Sequence, residues 1–393
     1  MAIENVNGIA DAVAPELEAN LVKLPPEAAI EGVTELDDGS AIVGEIEEEA
    51  EAPIAIPFDA NLAEFINEDT LSEISGDIVG NIEEDINSRS DWEEQYKGGL
   101  ELLGMSYEDR SEPFEGASGI VHPLLAESVT QFQAQAYREM LPAGGPVKTA
   151  IIGAETPEVT AQAERVKNYM NYQITYEMEE YDPELDQMLF YLPIVGSAFK
   201  KVYFDPTMQR AVSKFVHSED LIVPYSATDL ATATRVTHCI RMDKNDIKKL
   251  QLTGFYRNID LPSSGADSDG VSDVKDTINE IEGISSSSSQ NEEMMIYEVH
   301  TDLDIDGFQD IGADGEPTGL KMPYIVTIME DTGDVLSIKR NFNESDPLRR
   351  KVPYFVHYKF LPGLGFYGFG LTHTIGGLSR ASTSILRQLI DAG

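Results

Sequence analysis

Apolar positions along this chain recur with one period in its first half and another in its second. Behind the N-cap and acidic first turn of SDWEEQ, Trp92, Tyr96, Leu100 and Leu103 follow at helical spacing, predicting a helix from Ser90–Asp91. Leu125, Val129, Phe132 and Ala136 form one stripe of a second helix, which Pro142 and the Gly-Gly-Pro after it end. Thr156-Pro157 starts a third, carried on by Val166, Tyr169, Met170 and Gln173, and Asp182-Pro183-Glu184 starts a fourth. The period then becomes two. AFKKVYF, DPTMQ and RAVSKFV read as strand, turn and strand. LIVPYSA and RVTHCIRM continue the β pattern, and Asp243 caps a short helix, KNDIKKLQL, closed by Gly254. MIYEVHTDLDI, PYIVTIM and VLSIKRN predict three more strands, with Asp331-Thr332-Gly333-Asp334 as the turn between the last two. VPYFVHYKF adds a strand, a glycine cluster follows, and a helix comes last. Helices first and antiparallel strands afterwards predict an α+β fold.

Charge changes this picture at the N-terminus. The net charge is −42, and residues 1–91 hold 24 carboxylates against only Lys23 and Arg89. Like charges repel there, with little apolar surface to offset the ordering entropy. Residues 1–89 therefore read as an acidic disordered arm, with room for one short helix around residues 59–75. Residues 262–290, rich in Ser, Asp and Gly, read as a flexible insertion. The acidity argues against wrapping nucleic acid by phosphate neutralisation, though not against a surface past which DNA slides. One cysteine, Cys239, excludes an intramolecular disulfide framework. The first residues lack a secretory signal pattern, and no apolar run is long enough to span a membrane.

Gly363, Gly365 and Gly368 fit G-x-G-x-x-G, the phosphate cradle of dinucleotide-binding enzymes. That motif needs a βαβ unit with an acidic residue on a second strand; Asp391 instead ends a continuous helix. Phe366, Tyr367 and Phe369 are also bulky where a backbone would have to approach a pyrophosphate. A tightly packed or flexible turn with aromatic anchors is the better reading. Asp302, Asp304, Asp306 and Gly307 copy the opening of a calcium loop, but Ala313 stands where the bidentate Glu belongs. No two histidines are paired at i, i+4, and His238 beside Cys239 on a strand points to the opposite face. No catalytic residue, metal ligand or cofactor is expected.

The final helix carries Leu371, Ile375, Leu378, Ser382, Ile385 and Leu389 at spacings of 4, 3, 4, 3 and 4. This is a heptad-like seam suited to a helix of the same or a neighbouring chain.

EPFEGASGIVHPLLAESVTQFQAQAYREMLPAGGPVKT resembles a signature region of portal proteins from short-tailed, double-stranded DNA bacteriophages. LFYLPIVGSAFKKVYFDP with SEDLIVPYSATDL, DGEPTGLKMPYIVTI, and FLPGLGFYGFGLTHTIGGLSRASTSILRQLIDAG are similar to three more such regions. The resemblance spans residues 90–393 and leaves out the arm and the insertion. It implies a wing-like α+β body over residues 90–361, followed at 362–393 by a glycine hinge and a helix leading toward a stem. It also implies a chain that continues past Gly393 into stem, clip and tunnel-lining segments, so that this is an N-terminal fragment. The implied role is structural, not enzymatic: a ring, usually of twelve subunits, at one capsid vertex of the virion, assembled in the host cytoplasm. Implied partners are other copies of the chain, the terminase large subunit, head-completion and tail adaptor proteins, scaffold and capsid proteins, and double-stranded DNA passing through without sequence-specific binding. No membrane partner is implied. Gly363, Gly365, Gly368 and Gly370 would form the hinge, and Leu371, Ile375, Leu378, Ile385 and Leu389 the intersubunit seam. Other functional classes are a nucleotide-binding enzyme using residues 363–370 and an acidic scaffold or adaptor working through its arm.

Overall fold

The computed structural model describes residues 56–104, 113–206, 208–262, 293–312 and 316–392, with residues 274, 277–279 and 281 and two short strands near the N-terminus. Those strands, β1 (Val33–Glu35) and β2 (Ala41–Val43), pair antiparallel within a unit that ends at Ile56. A second unit runs from Pro57 onward.

The second unit is α+β. Its helices are α1 (Glu68–Ser88), α2 (Ser90–Glu101), α3 (Leu124–Met140), α4 (Pro157–Tyr172), α5 (Tyr181–Val195), α6 (Lys244–Leu252) and α7 (Leu371–Ala392). Its strands are β3 (Ser197–Asp205), β4 (Arg210–Val216), β5 (Leu221–Ile222), β6 (Arg235–Asp243), β7 (Glu293–Leu303), β8 (Met322–Met329), β9 (Val335–Arg340) and β10 (Phe355–Lys359). Two antiparallel sheets form, one in the order β10-β3-β4 and one in the order β5-β6-β7-β8-β9.

The helical core is built from the stripes that periodicity predicts. Tyr96, Leu100 and Leu103 of the α2 region and Leu125 and Val129 of α3 are buried against α5, whose second half is buried almost throughout. Phe132 and Ala136 pack at the edge of this cluster. Thr156 caps α4 as expected, its Oγ1 accepting the Val159 N–H, and Pro157 takes the first position. Asp243 has the extended backbone of an N-cap, but its side chain accepts no capping hydrogen bond. The strand expected over LIVPYSA shrinks to Leu221–Ile222, because the chain turns at Pro224 to Ala227.

Two expectations need correcting. Of the supposed arm, residues 1–55 lie outside the described residues apart from β1 and β2, but residues 57–89 are an integral part of the second unit. Leu71, Ser75, Ile78, Ile82 and Asp85 of α1 recur every three or four residues and are buried. The acidic count concealed that stripe, because carboxylates on the outer face of a helix do not prevent burial of the inner one. Ser75 donates to the carbonyl of Gly333 in the β8–β9 turn, and Arg235 of β6 grips Asp85 at 2.6 and 2.9 Å. Within the supposed insertion, Val274, Ile278 and Ile281 are helical and pack on the α2–α3–α5 core, so this part of the stretch is anchored. The five-serine run lies outside the described residues.

Residues 57–89 also close both outer edges of the five-stranded sheet. At β9, Asn61 behaves like one residue of an added strand: its Nδ2 donates to Leu336 O at 3.1 Å, and its Oδ1 accepts from Ile338 N at 3.0 Å. At the other edge, Arg89 donates to the carbonyls of Ser218, Glu219 and Leu221 at 3.3, 2.7 and 3.1 Å. The small sheet uses carboxylates instead. The outward N–H groups of Ser213 and Phe215 on β4 donate to Glu180 and Glu184 of the α5 region. An unpaired strand edge invites pairing with another chain, and these side chains block it.

Candidate functional site

The glycine cluster is a closed loop. Leu361 and Phe369 exchange two backbone hydrogen bonds at 3.2 and 2.9 Å, and Phe360 N donates to Gly196 O. None of Gly363, Gly365, Gly368 and Gly370 adopts positive φ. They are glycine for lack of room. A Cβ at Gly363 would come within 3.0 Å of Tyr367 O, at Gly368 of Gly196 O, and at Gly370 of Ile194 O. Gly365 faces open space beside a fully exposed Leu364. Gly196, the left-handed C-cap of α5 at φ +93°, meets the backbone of Gly368, Phe369 and Gly370 in turn. The end of α5 and the loop before α7 are thus packed backbone to backbone. The hinge expected at 363–370 is, in this geometry, a brace at three of its four glycines.

Aromatic side chains fix the loop from its other side. Phe366 is buried and stacks on Phe199 and His357, with ring centres 5.9 and 4.8 Å apart. Tyr367 stacks on Trp92 at 4.3 Å. Burial pushes its phenol up, although the neighbouring Arg89 pulls the other way. Burial opposes charge on Arg89 too, yet Tyr367 and Glu93 hold the guanidinium above its ordinary value. The Ser197 hydroxyl, fully buried, accepts Gly368 N–H at 2.8 Å and lies 3.1 Å from His357 Nε2. Burial drives that imidazole down to about 3, so it is neutral.

Three consecutive N–H groups at the end of the loop are spent internally. Gly368 donates to Ser197 Oγ, Phe369 to Leu361 O, and Gly370 to His373 Nδ1 at 3.1 Å. A phosphate cradle needs such groups converging on open space.

α7 divides the expected seam in two. Leu371 and Ile375 pack on the core of α2, α3 and α5. Leu378, Ile385 and Leu389 are 62%, 66% and 69% exposed. The buried side of the helix is small and polar instead: Gly376, Ser379 and Thr383. Polar bonds fasten it to the strap at residues 118–122. His122 N donates to Thr383 Oγ1 at 3.0 Å, Ser118 N to Asp391 Oδ1 at 2.7 Å, and Arg387 Nε to Ile120 O at 2.7 Å. Thr372 Oγ1 donates to Ile194 O, anchoring the first turn. Between α2 and α7 runs an open cleft of about 460 Å³, lined by Asp91, Glu94, Gly98, His373 and Arg380 among others.

The remaining chemical candidates are structural in this geometry. Asp306 accepts a bond from Gln309, Gly307 takes a turn at φ +82°, and position 313 lies outside the described residues. No group of three or more metal-ligating side chains converges among the described residues. His238 lies against Phe355 and is pushed down to about 4 by burial and by Lys201. Cys239 is buried. Lys201 of β3 and Glu298 of β7 form an ion pair at 2.6 and 2.7 Å that ties the two sheets together, with His300 Nε2 2.9 Å from the same carboxylate. Burial works against the charge of Glu298, but Lys201 and His300 hold it well below the carboxylate range.

Sequence reasoning missed Asn61, Arg89, Ser197 and Glu298. Arg89 alone left a signal, as the single cation between Lys23 and Lys97. No helix among the described residues is long and apolar enough to cross a membrane. No family model matches the chain, and no curated protein matches it.

Proposed function

We propose that this chain is a subunit of a phage portal: a ring-forming structural protein at one capsid vertex, through which double-stranded DNA is packaged and ejected. The observation that carries this reading is the two-sidedness of α7. Its polar, small-residue side is bonded to its own body, while Leu378, Ile385 and Leu389 face solvent. A helix that only completed its own core would place these in the reverse arrangement. An exposed apolar stripe on a rigidly seated helix suits an interface with another copy, and a heterologous contact repeated around an axis closes into a ring.

The four stretches that resemble portal regions support the same reading, since they supply the strap at 118–122, the α5–β3 junction at Gly196, strand β8, and the loop with α7. An acidic surface suits a channel that DNA must traverse without sticking. The ring would serve as a docking platform for the terminase large subunit and later for head-completion and tail adaptor proteins. A nucleotide enzyme built on residues 363–370 has less support, because the N–H groups of Gly368, Phe369 and Gly370 are already bonded within the chain.

Electron microscopy and native mass spectrometry of the full-length protein that carries this chain test the proposal. Closed rings with a central hole are expected; a chain that stays monomeric under assembly conditions overturns it.

A further inference from the structure

α4 is the least supported helix of the unit. None of its residues is buried. Val166, Tyr169 and Met170 are 44%, 59% and 42% exposed. Thr156 caps one end, and near the other the Asn171 amide clasps the backbone of Val147 at 2.9 and 3.2 Å. A helix of this length with no packed flank is marginal in water.

Its apolar positions have a period. Val159, Ala163, Val166 and Met170 are spaced 4, 3 and 4. The exposed part of the α7 seam, Leu378, Ser382, Ile385 and Leu389, is spaced 4, 3 and 4. At 1.5 Å rise per residue each stripe is roughly 17 Å long, a match in length as well as in period.

Charge does not oppose a meeting of these two surfaces. Two copies of a chain at −42 repel each other over most of their area. α7 contains one carboxylate, Asp391, and that is turned onto Ser118 N. α4 balances Glu158 and Glu164 with Arg165 and Lys167. These are stripes on which two copies can meet without facing carboxylates.

Resting on the ring reading above, we propose that α4 of one copy packs along the exposed seam of α7 of the next. Val166 and Met170 then fill the spaces around Leu378 and Ile385. The two stripes belong to different helices of one chain, so the contact is head to tail and leaves a free α4 and a free α7 at either end of every intermediate. Pairing of like stripes would stop at a dimer.

The test uses the full chain with Val166→Cys and Ile385→Cys, both at exposed positions, while native Cys239 stays buried. Under mild oxidation the double variant should give a ladder of covalent multimers, and neither single variant a covalent dimer. Adding Met170→Asp should abolish the ladder. Rings by native mass spectrometry without a ladder, or dimers from a single variant, would overturn this contact and leave the ring standing. A monomeric parent chain would overturn both.

Discussion

The carbonyl oxygen of Gly196 faces the α-carbon of Gly368 so closely that neither residue has room for a side chain. Gly196 ends α5 and Gly368 closes the loop before α7, so a missing atom at each sets where the last helix leaves the body. Gly368→Ala and Gly370→Ala should each destabilise by about 1–3 kcal/mol or more, since rigid backbone carbonyls must shift. Gly365→Ala, in open space, should change stability by less than about 0.5 kcal/mol. Urea unfolding of the three variants checks the contrast, and equal effects would count against packing as the reason for these glycines.

Arg89 is buried and bonds the carbonyls of Ser218, Glu219 and Leu221 at β5. Arg89→Met keeps its stem but strands those acceptors and removes the 2.8 Å ion pair with Glu93. A loss on the order of 3–5 kcal/mol is expected. Asn61→Ala at the other sheet edge should cost less, about 1–3 kcal/mol, as a neutral pair. Hydrogen exchange should show faster exchange at Ile338 N in the Asn61 variant.

Lys201→Met should destabilise strongly, because it leaves Glu298 charged and buried between the sheets. Lys201→Met with Glu298→Leu should recover much of the loss, as replacing both members of a buried pair often does. A double-mutant cycle by thermal unfolding decides it; a purely additive pair would show that the contact does not couple the sheets.

Acid should weaken the protein in a defined window. His238 and His357 are held down to about 4 and about 3 in the folded chain, chiefly by burial. The unfolded chain therefore takes up protons first, from near pH 6.5 downward. The stability contributed by the neutral histidines is complete above that pH and is lost progressively as pH falls toward 4 and 3. Glu298, held below its ordinary range, adds a further loss beginning lower, near pH 4.5. Urea unfolding at pH 7.5, 6 and 5 should show falling midpoints, and His357→Phe should flatten the slope. A flat profile in the parent chain would contradict the buried, neutral state of both rings.

Most elements were legible because their signals are local. Leu125 and Val129 at helical spacing, Thr156-Pro157 as a start, and Gly333 as a turn at φ +71° are all properties of a few neighbouring residues. α1 was misjudged because net charge averages over both faces of a helix, whereas burial concerns only the one with Leu71, Ile78 and Ile82.

By itself the sequence determined the order of helices and strands from Ser90 onward, the core stripes of α2 and α3, and the seam period of α7. The tertiary structure alone decided that the loop glycines brace a backbone contact, that Asn61 and Arg89 seal two sheet edges, and that half of the α7 seam stays exposed. The physical reason is distance. Gly196 and Gly368, or Asn61 and Ile338, interact only once the folded chain brings together residues far apart in sequence, and no local pattern encodes which partner each will find.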